Sequence, residues 1–369
     1  MNLTIFILQL YLAEKTLLID LRSDTVTKPS PDMLTAMQSA ATGDDVYGED
    51  PTVNELEQLA AQITGKQAAL YCVSGTQSNL LAMLSHCERG QEFIAGQEAH
   101  AYKYEGGGAA ALGGIQPYTL PFNERGELAI DDIRASIKPD DMHFAVTRLL
   151  CLENTQAGQV LSLDYLRAFS QLAQQYQLKR HMDGARGFNA AVKLGVPIQT
   201  ICKHFDTISL CLSKGLACPV GSLLVGDEAT INKARRYRKM IGGGMRQAGV
   251  IAAAGIYALR NNINRLQQDH DNAQLISESV GQLEHLGLAQ PTHTNMVMIS
   301  RQTDLKKLTA FLADRHICIS GTRWVLHRDI SRSDVEAIID ACEAYNRLFY
   351  LIGSAFFANH QTCNTFASG

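Results

Sequence analysis

No CxxC pair occurs in the 369 residues, and the nine cysteines are odd in number. A disulfide framework or a structural zinc site therefore does not fit, whereas a reducing cytosol does. Cys72, Cys87, Cys151, Cys202, Cys211, Cys218, Cys318, Cys342 and Cys363 read instead mostly as small core hydrophobes. No apolar run approaches the roughly 18 residues of a membrane span. The opening MNLTIFILQLYLAEK has no basic residue ahead of its apolar stretch and no small-residue cleavage site, so a signal peptide is not expected. Positive charge is not in excess: the net charge of -4 provides no field for nucleic acid or an anionic membrane. The local exception, Lys233 to Lys239 (KARRYRK), reads as a solvated helix face, with a small anion or a subunit partner as the alternative. His, Cys and acidic residues do not recur at metal-ligand spacing, and GxSxG, P-loop and GxGxxG patterns are missing. There is no internal repeat and no low-complexity linker.

What is present is an alternation of short apolar runs with helical patterns. Pro51 to Thr64 places Val53, Leu56, Leu59, Ala60 and Ile63 at helical spacing, with Pro at the start and Gly65 as the stop. Ala68 to Val73 reads as a strand, after which Ser74-Gly75-Thr76 opens a helix over 77–87. Further strands are expected at 92–95, 144–151, 178–182 and 205–212, with a helix over 163–176 between the second and third of these. Such alternation predicts a mostly parallel α/β sheet. Beyond about residue 260 the texture changes: a long polar-faced helix at 265–286, short strands at 295–299 and 317–320, and a closing helix at 333–348 with Ser333 as N-cap and Glu336 completing a capping box. A large α/β domain at 18–262 followed by a smaller α+β domain at 263–348 is expected, with extensions at 1–17 and 349–369. The apolar first half of the tail is either a packed terminal segment or a frayed one.

Ligands of parallel α/β sheets sit at the carboxyl ends of strands. Three expected strand ends carry unusual chemistry. Lys214 follows an apolar strand, where partial desolvation favours the neutral amine that attacks carbonyls; alone, such a lysine is more often an exposed loop residue. Asp183 also ends a strand and suits a protonated pyridine nitrogen, or else caps a helix starting at Gly184. Arg186 suits a cofactor's ring oxygen or simply balances Asp183. Ser74-Gly75-Thr76, between strand and helix, suits phosphate, because free N–H groups and the helix dipole attract anions there. Gly242-Gly243-Gly244-Met245-Arg246 is a second glycine run, either a flexible turn or a second phosphate contact through Arg246 from a neighbouring subunit. His100 and His143, each near a strand, are candidates for ring stacking or acid–base work, though a lone histidine is more often structural.

Taken together these residues resemble the low-specificity L-threonine aldolases, pyridoxal-phosphate enzymes of the aspartate-aminotransferase-like fold type I, in the beta-eliminating lyase and threonine aldolase family. IDLRSDTVTKPS (19–30), GDDVYGEDPTVNELE, SGTQSNL, GQEAHAY, LENT, DGAR, LSKGL, PVGSLLVG, KMIGGGMRQAGV and AAAGIYAL follow in the family's order over about 18–348. Gln156 stands where many relatives have His, and Gly187 where a larger apolar residue is common. The resemblance implies a three-layer αβα large domain and retro-aldol cleavage of L-threonine or L-allo-threonine to glycine and acetaldehyde. It implies pyridoxal 5'-phosphate as a Schiff base on Lys214, Asp183 on the ring nitrogen, Arg186 on the ring oxygen and His100 stacked on the ring. Gly75, Thr76 and Arg246 would hold the phosphate, and Ser23 and Arg323 the substrate carboxylate. Tyr47 and Tyr104 would line the site, with His143 near the β-hydroxyl. A homo-oligomer, at least a dimer with a shared site and a tetramer by family likeness, is implied, as is a small amino-acid substrate. Other pyridoxal chemistry on the same fold, or a non-catalytic pyridoxal-binding protein, remains the alternative.

Overall fold

The computed structural model describes residues 18–363. The expected extension at 1–17 lies outside the described residues, as does the tail beyond 363. The chain forms two compact units: Thr27–Gln268, and the described residues before Thr27 together with those from Asp269 onward. The strands are β1 (Ile19–Asp20), β2 (Ala68–Cys72), β3 (Gln91–Gly96), β4 (Gln116–Leu120), β5 (Val146–Glu153), β6 (Lys179–Asp183), β7 (Thr207–Cys211), β8 (Ser222–Gly226), β9 (Met296–Met298), β10 (Ile317–Cys318) and β11 (Arg323–Val325).

The larger unit carries a seven-stranded sheet of order β2-β8-β7-β6-β5-β3-β4. The run from β7 to β4 is parallel, and β8 lies antiparallel to both of its neighbours. Two reversals leave β2 pointing the same way as β7. The carboxyl ends of β2, β3, β5, β6 and β7 therefore share one edge.

Side chains alternate across a strand, and here both faces are covered. Leu150 and Leu152 of β5 join a core with Val53, Leu56 and Phe169, while Leu149 and Cys151 join another with Leu80, Met83 and Phe93. Helices Pro51–Thr64 and Leu163–Gln175 supply the first face, and helix Gly75–His86 the second. This is the three-layer arrangement implied by the resemblance. Asp50 caps the helix Pro51–Thr64 by accepting from the amides of Thr52 and Val53, and Gly65 ends it at φ 66°. Phe169 is fully buried, with its ring 5.8 Å from that of Phe205 and 6.5 Å from that of Tyr165. Phe169→Ala is expected to cost about 3–5 kcal/mol, read as a lowered denaturant midpoint at unchanged slope.

In the smaller unit β1 pairs in parallel with β10, and β11 runs antiparallel to β9. Its core gathers Ile19, Leu21, Ile276, Leu308, Val335 and the fully buried Trp324.

The structure corrects several expectations. The division falls after Gln268 rather than 262, and residues before Thr27 belong with the later unit because β1 needs β10 as its hydrogen-bonding partner. The closing helix is Arg332–Cys363, so the stretch taken as an extension from 349 continues it to 363. Its cap lies two residues earlier than expected: Ser331 Oγ accepts from the Asp334 amide at 3.2 Å, and Asp334 Oδ2 accepts from the Ser331 amide at 2.8 Å. Either spacing satisfies the capping-box pattern, and the backbone selects Ser331. The basic stretch 233–239 is not merely solvated. Arg238 is buried and donates to Asp45 and to the Tyr71 carbonyl, Arg235 pairs with Glu57, and Lys233 donates to the Ser85 carbonyl. Eight cysteines lie among the residues with described side chains; all are free, and all but Cys318 are buried. No helix among the described residues is long and apolar enough to cross a membrane.

Candidate active site

The shared sheet edge gathers the chemistry. Ser74 follows β2 and caps the helix Gly75–His86, its hydroxyl accepting from the Gln77 amide. The first amides of a helix have no intrahelical acceptor, so the Gly75–Thr76 turn offers N–H donors to an anion. Gly75 is required there: a Cβ would lie 2.7 Å from Cys211 Sγ. The second glycine run packs on the same turn, since a Cβ at Gly243 would meet the Gln77 side-chain amide at 2.1 Å.

Lys214 follows β7 and is half-buried, with its carbonyl accepting from the Ala217 amide. Asp183 ends β6 and is buried. Its Oδ2 accepts from Asn79 Nδ2 at 2.8 Å and its Oδ1 from the Ala185 amide at 3.0 Å. It is not a helix cap; the next helix is Gly187–Leu194, with Arg186 at the cap position. Glu153 ends β5 beside it and accepts from the His100 amide at 2.8 Å. Burial, with the charge of Asp183 adding, pushes the Glu153 carboxyl up to about 7.

His100 opens the short helix His100–Lys103 after β3. Its Nδ1 meets Glu105 Oε1 at 2.8 Å, and its ring lies 5.7 Å from that of Tyr104 while remaining 44% exposed. The Glu105 hydrogen bond raises its pKa above the usual imidazole value against an opposing cost of burial. Burial raises the Glu105 carboxyl in turn. His100, Glu105 and Asp183 bring ligand atoms within 4.8 Å of one another, a grouping that could hold a cation. The Asn79 amide nitrogen donates to both carboxyls, however, and so places a hydrogen-bond donor where a cation would need lone pairs.

Other expected residues lie apart or carry different partners. Arg246 donates to Asp44 at 2.9 Å within its own chain and lies 6.0 Å from the Tyr47 ring. Tyr47 and Tyr104 are exposed. Ser23 and Arg323 belong to the smaller unit, where the Ser23 hydroxyl accepts from the Thr25 amide and Arg323 begins β11. His143 is not brought to the cluster within one chain. It precedes the amino end of β5, whereas Glu153 ends the strand, about 25 Å away at roughly 3.3 Å per residue. It is 76% exposed and pairs with Asp141.

Asn79, Glu105, Glu153 and His181 have no role assigned from sequence. Asn79 had a signal: it is a polar residue ahead of the apolar run Leu80 to Leu84 in a buried helix. His181 interrupts an otherwise buried strand end in the same way. Burial drives the His181 and His86 imidazoles down, to about 3 and about 4. Both are neutral when folded and titrate near 6.5 when unfolded, so their contribution is present above pH 6.5 and is lost as pH falls towards 4. Replacing His86 with Gln removes one such group. The acid loss of stability between pH 6.5 and 4 is then expected to become shallower by up to about 1.4 kcal/mol per pH unit, measured by denaturant titrations at a series of pH values.

The family model described as "Beta-eliminating lyase" matches residues 20–303. The chain belongs to the beta-eliminating lyase family. It is 49% identical over 324 residues to the low specificity L-threonine aldolase of Escherichia coli K12, covering 87% of this chain and 97% of that protein. It is 43% identical to the probable low-specificity L-threonine aldolase 2 of Arabidopsis thaliana, covering 88% and 96%. Among solved structures, a threonine aldolase of Leishmania major superposes with a TM-score of 0.77 at 18% identity, over 89% of this chain and 99% of that one. That likeness bears on the fold alone.

Proposed function

We propose that the chain cleaves L-threonine and L-allo-threonine to glycine and acetaldehyde, with pyridoxal 5'-phosphate held on Lys214. The reading is carried by one observation: Lys214, Asp183, His100 and the Ser74–Thr76 turn converge on one sheet edge in a chain of this family. The residues fit the cofactor. The first turn of the helix that Ser74 caps offers N–H donors for a phosphate, and Asp183 accepts from Asn79 at Oδ2 and from the Ala185 amide at Oδ1, which leaves each oxygen a lone-pair direction for a ring N–H.

When bound, the cofactor supplies an electron sink for the pair released at Cα. Lys214 anchors it through Nζ. Asp183 would hold a proton on the ring nitrogen, Arg186 would hydrogen-bond the ring oxygen, and His100, with Nδ1 fixed by Glu105, would stack on the ring. Gly75 and Thr76 would bind the phosphate, joined by Arg246 of a second copy, and Tyr47 and Tyr104 would line the entrance. The β-hydroxyl proton passes to a base, His100 or else His143 of a second copy, because His143 lies at the far edge of its own sheet. At least a dimer follows, working in the cytoplasm. The test is product analysis on the purified, cofactor-loaded protein with both L isomers and D-threonine. Glycine and acetaldehyde in equal amounts from the L isomers are expected; ketoacid and ammonia in their place would overturn the assignment in favour of elimination.

A further inference from the structure

Behind the candidate site lies a buried polar chain that the mechanism above does not use. Asn79, His181 and Thr207 are each no more than 1% exposed. Asn79 Nδ2 lies 2.8 Å from both Glu105 Oε1 and Asp183 Oδ2. Its nitrogen must face them, because an oxygen there would oppose two acceptors. Asn79 Oδ1 then faces His181 Nε2 at 3.1 Å, which must carry the ring proton. His181 Nδ1 is left as the acceptor from the Thr207 hydroxyl at 2.9 Å. The same Thr207 oxygen accepts from His86 Nε2, also at 2.9 Å. Every proton direction in the chain is thereby fixed. Burial keeps both imidazoles neutral, so the chain orients groups and carries no charge.

We propose that Asn79 is a positioning residue whose amide sets the Asp183 carboxyl against the cofactor's ring nitrogen, with His181, Thr207 and His86 locking the amide's orientation. The proposal rests on the cofactor assignment to this site. It makes Asn79 act through Asp183, so the effect depends on the ring nitrogen being there.

The experiment titrates the apo protein with pyridoxal phosphate and with its 1-deaza analogue, in which C–H replaces the ring nitrogen, following the visible band and protein fluorescence. Asn79→Leu is expected to weaken pyridoxal phosphate by roughly 10- to 100-fold, the worth of a hydrogen bond to a charged group. The analogue is expected to bind wild type and Asn79→Leu within about threefold of each other. His181→Gln, which keeps an N–H donor at the same reach, is expected to behave as wild type, and His181→Leu to weaken pyridoxal phosphate. Thr207→Val removes the hydroxyl that links His181 to His86 and carries the same comparison if Asn79→Leu does not fold. Equal weakening of both cofactors, or none, overturns the positioning role. Failure of the wild type to take up pyridoxal phosphate overturns the cofactor assignment instead, and is seen before any variant is made.

Discussion

Lys214→Ala is expected to lose the bound cofactor's visible band and more than the ~10²–10⁴-fold that one positioned proton-transfer group contributes. The reason is geometric as well as chemical. Lys214 follows β7, between the turn that would hold the phosphate and the strand that ends in Asp183. Its amine is the proposed covalent handle for the cofactor. Two measurements check this. Borohydride reduction of the wild type should fix the cofactor on the peptide containing Lys214, and acetaldehyde release should collapse in the variant. Near-wild-type turnover in Lys214→Ala would remove the pyridoxal assignment altogether.

Asp183→Asn is the second large effect. The substitution keeps the side chain's size and removes its charge. It should lower kcat by about 10²–10³-fold, the scale seen when one electrostatic partner of the developing charge is removed, while Lys214 still takes up the cofactor. The carboxamide also turns its NH2 toward one of the two present donors, Asn79 Nδ2 at 2.8 Å or the Ala185 amide at 3.0 Å. A buried donor left without its acceptor costs about 1–3 kcal/mol. Denaturant unfolding of the apo variant reads that structural part separately from the kinetic loss. A variant with unchanged kcat would show that the carboxylate is not the ring nitrogen's partner.

Much of this site was legible because strand ends are marked in sequence. An apolar run that stops at Asp183, or at Ser213-Lys214, announces both the strand and the edge on which its last side chain lies. The run before Ser74-Gly75-Thr76 did the same for the anion-binding turn. The weaker predictions failed where one-dimensional pattern has no purchase. The apolar run at 144–151 predicted β5 two residues early, because Phe144 is apolar yet exposed while Glu153 is polar yet lies in the strand. The buried polar residues Asn79 and His181 are satisfied by partners 26 to 104 positions away, a pairing that no local spacing reveals. Strand β8, buried along its whole length and antiparallel inside a parallel run, was recognisable only as a piece of the family pattern. His143 illustrates the converse: sequence order placed it beside a strand, and only the strand's direction separates it from Glu153.

The pairing of β1 with β10 sets an order of events during synthesis. Ile19 leaves the ribosome early, but its partner Ile317 emerges about 300 residues later, which at roughly 5–20 residues per second is about 15–60 s. The larger unit, from Thr27 to Gln268, holds its own strands and can collapse within that interval. Throughout it, Ile19 and Leu21, both buried at the end, have no core to enter. Nascent chains of this protein thus carry an unpaired apolar segment throughout that interval, a stretch suited to capture by a chaperone and released only when Ile317 and its neighbours arrive.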